Sequence, residues 1–296
     1  MIRLAECTYR EAARLARDER ALVILPLGAI EQHGPHLPLL VDWLGAEELA
    51  RHVTPHLERA GYKVVLAPSL PYGASPLAEA WPGTVSLARA TLKRVIVEVV
   101  GGLARHGFRR FVLANYQADP AHVRAMAEAK RALTRRDRRL RILFAGFSPE
   151  ARSMAAMLDP RVLRLSRSPR PKGEWHAGEL ETALVLARRP DLVRRAVARR
   201  LPPVWVDFRA ALRKGARRFE QIAPGGLGYF GWPAAARAVT AKRALALRGR
   251  LMAREIIRAL GPADRTPSAP GPARRSRRRG AESGLAAPGV RPARTQ

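Results

Sequence analysis

The chain has 296 residues, 47% of them hydrophobic, which is enough for one sizeable domain or one domain plus a tail. Its single cysteine, Cys7, excludes an internal disulfide, its charged N-terminus lacks the apolar stretch of a signal peptide, and it has no uninterrupted apolar run of about 18 residues. We therefore expect a cytoplasmic protein with no membrane partner. Its net charge of +29 leaves nucleic acid open as a partner.

Apolar runs and helical periodicity alternate along the chain. The predicted strands cover residues 21–27, 63–67, 110–115 and 140–145, and the predicted helices cover 9–19, 44–60, 87–106, 122–135, 177–187 and 234–260. The first strand, ALVILPL, is apolar throughout, which is typical of a strand buried on both faces. Strands separated by helices of this length predict an α/β fold with a mostly parallel sheet.

The texture changes at residue 261. Residues 261–296 are rich in Pro, Ala, Gly, Ser and Arg, and they hold hardly any large apolar residue. We expect a disordered basic tail after a single domain at 1–260, because such a segment buries too little apolar surface to offset its ordering entropy. A tether to an anionic surface is the alternative interpretation of the tail.

The positive charge itself has two interpretations. Arginines are scattered over the whole chain, which indicates a compositional bias rather than a binding surface. Only 6% of the residues are aromatic, and no RNA-binding signature is present. We therefore expect no nucleic-acid partner beyond non-specific attraction between charges.

Chemistry is expected at the carboxyl ends of the strands, where ligands bind in parallel sheets. The loop after the first strand places Glu31, His33, His36 and Asp42 within twelve residues. Carboxylates and imidazoles are ligands for Zn²⁺, Mn²⁺ or Fe²⁺, so one interpretation is a metal site. The other is a polar loop with surface histidines and an aspartate that caps a helix.

Four ordered segments are similar to those of a known family. LPLGAIEQHGPHLPLLVD at 25–42, YGAS at 72–75 with WPGTVSL at 81–87, HAGELET at 176–182 and the glycine-rich turn at 226–233 resemble the creatininase (creatinine amidohydrolase) family. That family includes formamide hydrolases and the peptidase that matures mycofactocin. Together the segments cover roughly residues 20 to 260.

The resemblance implies a three-layer αβα sandwich with a mostly parallel sheet, a two-metal centre and a homo-oligomer, a hexamer or related ring. Carried over by position, Glu31 and His33 would each hold one divalent metal (Zn, Mn or Fe), and Asp42 would bridge the two. His176 would sit over the substrate and act as a proton shuttle or polarise its carbonyl, and Glu179 in the same segment is a second catalytic candidate. The implied activity is hydrolysis of C–N bonds in small amides, cyclic amides or formamides.

The third metal segment departs from the family pattern. Gln117 stands where the family has a ligand histidine, and an amide oxygen is a poorer ligand than imidazole. Asp119 falls where some members carry a ligand glutamate, and Glu181 is a further carboxylate ligand or a helix surface residue. The resemblance then implies a stronger site of His33, Asp42 and Asp119, and a weaker one formed by Glu31, Asp42 and Gln117.

The second departure from the family pattern replaces polar residues by apolar ones. Leu77 and Ala78 replace a Glu-His pair found in many relatives, so the pocket has changed its substrate or lost catalysis. The candidate pocket residues, each with packing or capping as an alternative, are His36, Ser75, Trp81 and Trp175. Three hypotheses follow: an active amidohydrolase with one or two metals, a pseudoenzyme that binds a ligand or partner, and a basic protein associated with nucleic acid.

Overall fold

The computed structural model describes residues 1–263, and the predicted tail lies outside the described residues apart from its first three positions. Five strands form one parallel sheet in the order β1–β3–β2–β4–β5. The strands are β1 (Ile2–Arg3), β2 (Ala21–Leu27), β3 (Lys63–Leu66), β4 (Arg110–Asn115) and β5 (Arg141–Gly146).

Helices connect and follow these strands. They are α1 (Tyr9–Arg17), α2 (Val41–Arg59), α3 (Arg89–Arg105), α4 (Pro120–Arg136), α5 (Ala151–Met157), α6 (Pro160–Leu163), α7 (Glu179–Arg188), α8 (Arg195–Arg200), α9 (Phe208–Arg213), α10 (Phe219–Ile222) and α11 (Ala238–Leu260). Short 3-10 turns lie at Leu4–Glu6, Pro76–Ala78, Pro171–Gly173, Pro190–Leu192 and Pro233–Ala235. None of the helices within the described residues is both long and apolar enough to span a bilayer.

The sheet is covered on both faces. Along β2, Leu22 and Ile24 belong to the core cluster that includes α2, α7 and α11, whereas Val23 and Leu25 belong to the cluster that includes α1, α3 and α4. All seven residues of β2 are buried, as expected for a central strand whose side chains alternate between two helical layers. The predicted α/β three-layer fold is confirmed.

The chain order of the strands creates a crevice. From β2 the chain passes through α2 on one face to β3, and from β4 it passes through α4 on the other face to β5. The connections that leave the adjacent strands β2 and β4 therefore diverge to opposite faces of the sheet. Such a switch point is where parallel sheets bind ligands, and the polar residues after β2 and β4 meet there.

Candidate metal centre

The loop between β2 and α2 places the first two polar groups. The backbone N–H of Glu31 donates to the carbonyl of Leu39 across this loop, with a distance of 3.0 Å. His33 directs Nδ1 to the carbonyl oxygen of Glu31, 3.1 Å away. Because a carbonyl only accepts, Nδ1 carries the proton and Nε2 keeps its lone pair.

His33 Nε2 faces two carboxylates. It lies 3.6 Å from Asp42 Oδ1 and 3.8 Å from Glu181 Oε2. Asp42 lies in the first turn of α2, and Glu181 lies in the first turn of α7. Within residues 1–263, His33 Nε2 and Asp42 Oδ2 are buried and have no hydrogen-bond partner. These two unpaired atoms face a common point between three potential ligands.

His176 approaches from the other side. Its backbone N–H and that of Trp175 both donate to the carbonyl of Phe230, at 3.1 and 2.9 Å. The next residue, Ala177, has a φ of 52°, in the left-handed region that non-glycine residues seldom adopt. This bend lets the N–H of Ala177 donate to Glu181 Oε2 (2.6 Å), so His176 and Glu181 face the same centre.

Gln32 fixes the orientation of the His176 ring. The ring Nε2 lies 2.9 Å from the carbonyl oxygen of Gln32 and 3.2 Å from its side-chain Nε2. In the tautomer in which the ring Nε2 donates to the carbonyl, which is the shorter contact, Nδ1 keeps its lone pair. That Nδ1 atom lies 3.8 Å from Glu31 Oε1. The rings of His33 and His176 have centroids 4.3 Å apart. Both imidazoles therefore present an unprotonated nitrogen to the cluster.

Gln117, after β4, contacts Glu31 through its amide nitrogen. Its Nε2 donates to Glu31 Oε2 and to Ser75 Oγ, the latter at 2.9 Å. Its Oε1 accepts from the N–H of Asp119 at 2.8 Å, which fixes which end of the amide faces Glu31. Gln117 thus offers donors, not a ligand oxygen, to the centre.

Asp119 caps α4. Its Oδ1 accepts from the N–H of Ala121 at 2.7 Å, and its Oδ2 accepts from the N–H of Leu77 at 3.2 Å. The Asp119 charge nevertheless lies close enough to help raise the pKa values of Glu31 and Asp42. Asp119 therefore belongs to the charge cluster, while both of its oxygens are held by backbone donors.

Three buried carboxylates and the partly buried Glu181 meet here. Burial, together with the charge of Asp42, raises the pKa of Glu31 well above its usual value. Burial, together with the charge of Asp119, does the same for Asp42. Burial raises the pKa of Glu181 to about 7 and that of Asp119 to about 6. The shared cause is removal from water, which disfavours the charged form.

Little positive charge offsets these carboxylates. Burial lowers the pKa of His176 well below its ordinary value, so this ring is neutral. Among the lysines and arginines of residues 1–263, Arg248 is the one that is buried. Its charge lowers the pKa of Glu181. One guanidinium against four carboxylates leaves a site that favours a bound cation.

Two overlapping triads have metal-binding spacing: Glu31, His33 and His176, and His33, Asp42 and Glu181. In each, the ligand atoms lie within 4.8 Å of one another. The unpaired His33 Nε2 and Asp42 Oδ2 atoms and the mixed carboxylate–imidazole donors fit a divalent transition metal. The second triad fits better because Gln117 and Ser75 already engage Glu31.

Comparison with known proteins places this chain in a family. The model of the family Creatininase (creatinine amidohydrolase) matches residues 5–256. The chain belongs to the creatininase family. It is therefore an enzyme of a family of amidohydrolases, as the four sequence segments predicted.

Known creatininase-family proteins are similar over much of the chain. Creatinine amidohydrolase of Pseudomonas putida is 33% identical over 207 residues, which cover 64% of this chain and 73% of that protein. The mycofactocin precursor peptide peptidase of Mycolicibacterium smegmatis is 33% identical over 171 residues, 57% of this chain and 59% of that protein.

Solved creatininases have the same fold. A crystal structure of creatinine amidohydrolase superposes with a TM-score of 0.69 at 25% identity, covering 88% of this chain and 98% of that one. A creatininase described as the Mn form has a TM-score of 0.66 at 26% identity, covering 88% and 99%. Manganese is thus a property of that relative.

Two predicted residues lie away from the cluster. The carboxylate of Glu179 accepts hydrogen bonds from Ser166 and from the backbone N–H groups of Arg167 and Ser168, so it supports that loop instead of facing His33. His36 places Nε2 2.9 Å from Thr182 Oγ1, one layer behind the centre, and burial lowers its pKa to about 4. The sequence spacing did not separate Glu179 from Glu181, which face opposite ways on α7.

The two tryptophans belong to an aromatic cluster, formed by Trp81, Trp175, Phe208, Phe219 and Phe230. Phe219 reaches His176, with ring centroids 4.7 Å apart. Leu77 and Ala78 are buried in the same cluster. Trp81 and Trp175 therefore pack beside the centre, and the lost Glu-His pair has become part of an apolar wall.

Sequence reasoning missed two supporting residues. Gln32 orients His176, although it lies between two predicted ligands. Arg248 donates to the carbonyl of Met157 and to Tyr116 Oη at 3.3 Å, and the latter ring packs against Gly45. Arg248 stands on the apolar stripe of α11, so helical periodicity marks it as buried.

Gly28 allows the close contact between the loop after β2 and the start of α2 to be tested. A Cβ added there would lie 2.5 Å from the backbone N and Cα of Trp43, next to Asp42. We expect Gly28→Ala to lower the free energy of unfolding by about 1–3 kcal/mol and to displace Asp42, as overpacking does. Urea unfolding measures the first effect, and metal titration measures the second.

Gly102→Ala is the matched control, since a Cβ there would meet only the end of Arg105 at 3.8 Å. Within α3 this change should raise stability by up to about 1 kcal/mol. Equal stability of the two variants would contradict the tight contact between Gly28 and α2.

Proposed function

We propose that this chain hydrolyses C–N bonds of small amides or formamides with a divalent transition metal held by His33, Asp42 and Glu181. The observation that carries this proposal is the pair of buried, unpaired atoms, His33 Nε2 and Asp42 Oδ2, facing each other's side chains. An unpaired buried polar atom is costly unless a partner binds it.

A bound divalent cation supplies two effects at such a site: it polarises an amide carbonyl and makes water more acidic. The chain's own residues supply the proton path. His176, held by Gln32, keeps Nδ1 unprotonated and directed toward the cluster, so it is suited to take a proton and return it to the leaving nitrogen. Glu31 Oε1 lies 3.8 Å from His176 Nδ1, so Glu31 is the group that exchanges this proton with His176.

We further propose that one metal binds per chain, not two. A second metal beside Glu31 would need a ligand at position 117, where Gln117 presents N–H groups. Glu31 is thereby engaged by hydrogen-bond donors and serves in proton transfer. This revises the weaker site inferred from the sequence, because the amide oxygen of Gln117 is held by Asp119.

The first experiment is metal content of the purified, dialysed protein by mass spectrometry, with an assay on small cyclic amides and formamides. Near one equivalent of Zn, Mn or Fe with amide hydrolysis supports the proposal. No retained metal after reloading would contradict it and would favour a ligand-binding role without catalysis. The homo-oligomer and the cytoplasmic location remain predictions, to be tested by sedimentation and by cell fractionation.

Gln117→His tests the metal count. Imidazole at this position offers a ligand nitrogen beside Glu31, so we expect bound metal to rise from about one to about two equivalents per chain. Gln117→Asn is the control, since it keeps an amide and adds no imidazole. Unchanged stoichiometry in Gln117→His would show that position 117 does not set the metal count.

A further inference from the structure

The centre opens on one side. The side chains of Glu181 and His176 are 15% and 9% exposed, whereas those of Glu31, His33 and Asp42 are 4% exposed or less. The open side of the centre is thus formed by Glu181 and His176, and the aromatic cluster with Trp175 lies beside His176.

The chain that borders this opening is strongly basic. Residues 194–222 carry two acidic side chains, Asp207 and Glu220, and these cationic ones: Arg194, Arg195, Arg199, Arg200, Arg209, Arg213, Lys214, Arg217 and Arg218. The cationic side chains are exposed, and no salt bridge joins them to a carboxylate in residues 1–263. The chain as a whole has 54 basic and 25 acidic residues, so the local excess goes beyond its general bias.

Arg209 is the cation of this segment that contacts the residue next to His176. Its guanidinium carbon lies 5.7 Å from the ring centroid of Trp175, and Trp175 stacks on Phe208 with centroids 5.5 Å apart. Trp175 directly precedes His176. A guanidinium held on an aromatic face keeps its N–H groups available for two parallel hydrogen bonds to a carboxylate.

We propose that Arg209 recognises a carboxylate of the substrate, so that the substrate class is a small amide or formamide carrying both a carboxylate and an apolar group. The apolar group would pack on the partly exposed side chain of Trp81, at the border of the aromatic cluster. This inference rests on the proposed amidohydrolase function. During hydrolysis, water oxygen bonds to the carbonyl carbon, the C–N bond breaks, and the leaving nitrogen takes a proton, while the carboxylate on Arg209 is unchanged.

The test uses metal-loaded protein and two matched probes, N-formyl-L-phenylalanine and N-formyl-2-phenylethylamine, which lacks the carboxylate. Arg209→Ala should raise KM for the first probe about tenfold and leave its kcat within about twofold, because a charge-assisted contact is lost in binding. Neither constant should change for the second probe. Arg213→Ala, which removes the same charge one turn further along α9, should leave both probes unaffected.

Equal losses on the two probes in Arg209→Ala would overturn the inference, as would the same effect in Arg213→Ala, which would assign the attraction to bulk charge. If the wild-type protein hydrolyses neither probe, calorimetric binding decides. Tighter binding of N-formyl-L-phenylalanine that is lost in Arg209→Ala would support carboxylate recognition while the amidohydrolase proposal fails. Equal binding of both probes would overturn carboxylate recognition.

Discussion

Asp42→Asn is expected to lose bound metal and at least about a thousandfold in amidase activity, because it removes a charged ligand that faces His33. The same change should stabilise chelator-treated protein by about 1–2 kcal/mol at pH 8. Asn has no charge to desolvate, whereas burial raises the pKa of Asp42 well above its usual value. Metal analysis, an amide assay and urea unfolding measure the three effects.

Glu47→Gln is the control for this variant. Glu47 lies on the same helix, is half-buried, and is outside the cluster. The Glu47→Gln substitution should leave metal content and activity unchanged. Full metal content in Asp42→Asn would show that the ligand assignment is wrong, and a loss of stability with and without metal would indicate a merely structural role.

Chelator-treated protein is expected to lose stability between about pH 6.5 and 8.5, and added Mn²⁺ or Zn²⁺ should restore it. A carboxyl whose folded pKa is raised contributes stability at low pH that is lost as the pH rises through that pKa. Glu181 has a folded pKa of about 7, so its contribution falls between its ordinary pKa of 4.5 and about pH 7, and the upper part of this fall lies in the window. The rest of the loss comes from Glu31 and Asp42, because burial raises their pKa values well above the ordinary ones.

Other groups act outside this window. His36 and His176 have lowered pKa values, so their contribution changes only below the ordinary histidine pKa of 6.5. Exposed carboxyls with lowered pKa values, such as Asp137 at about 2, act at still lower pH. Urea midpoints of the chelator-treated protein at several pH values measure this loss of stability. The Glu181→Gln variant should show a smaller fall of the midpoint with pH. Stability that rises with pH after chelation would contradict the buried acidic cluster.

The regular elements were largely predictable from the sequence. β2 and β4 have the predicted boundaries, because continuous apolar runs flanked by polar residues mark buried strands. The two-residue strand β1 was missed, since it is too short to show a period. The short helices α8 to α10 were also missed, because they are too short to show a helical period. Tertiary packing stabilises two of them, through Phe208 in α9 and Phe219 in α10.

The sequence predicted which residues form the candidate site, but not which way their side chains face. Glu31, His33 and Asp42 lie close together because the loop after β2 runs directly into α2, whose first turn carries Asp42. Which end of the Gln117 amide faces Glu31 depends on the Asp119 backbone, which no spacing rule encodes. The same holds for Glu179, whose carboxylate is bound by the loop at Ser166.

The ligands of the proposed centre are far apart in the chain, and this bears on how the protein unfolds. A cation held between His33 and Glu181 closes a loop of about 150 residues, so it acts as a reversible cross-link between the β2 and α7 ends of the domain. Because such non-local contacts assemble late, we expect the metal to slow unfolding far more than it speeds folding. Resistance to proteolysis would then depend on metal supply, and metal availability would govern the protein's lifetime as well as its chemistry.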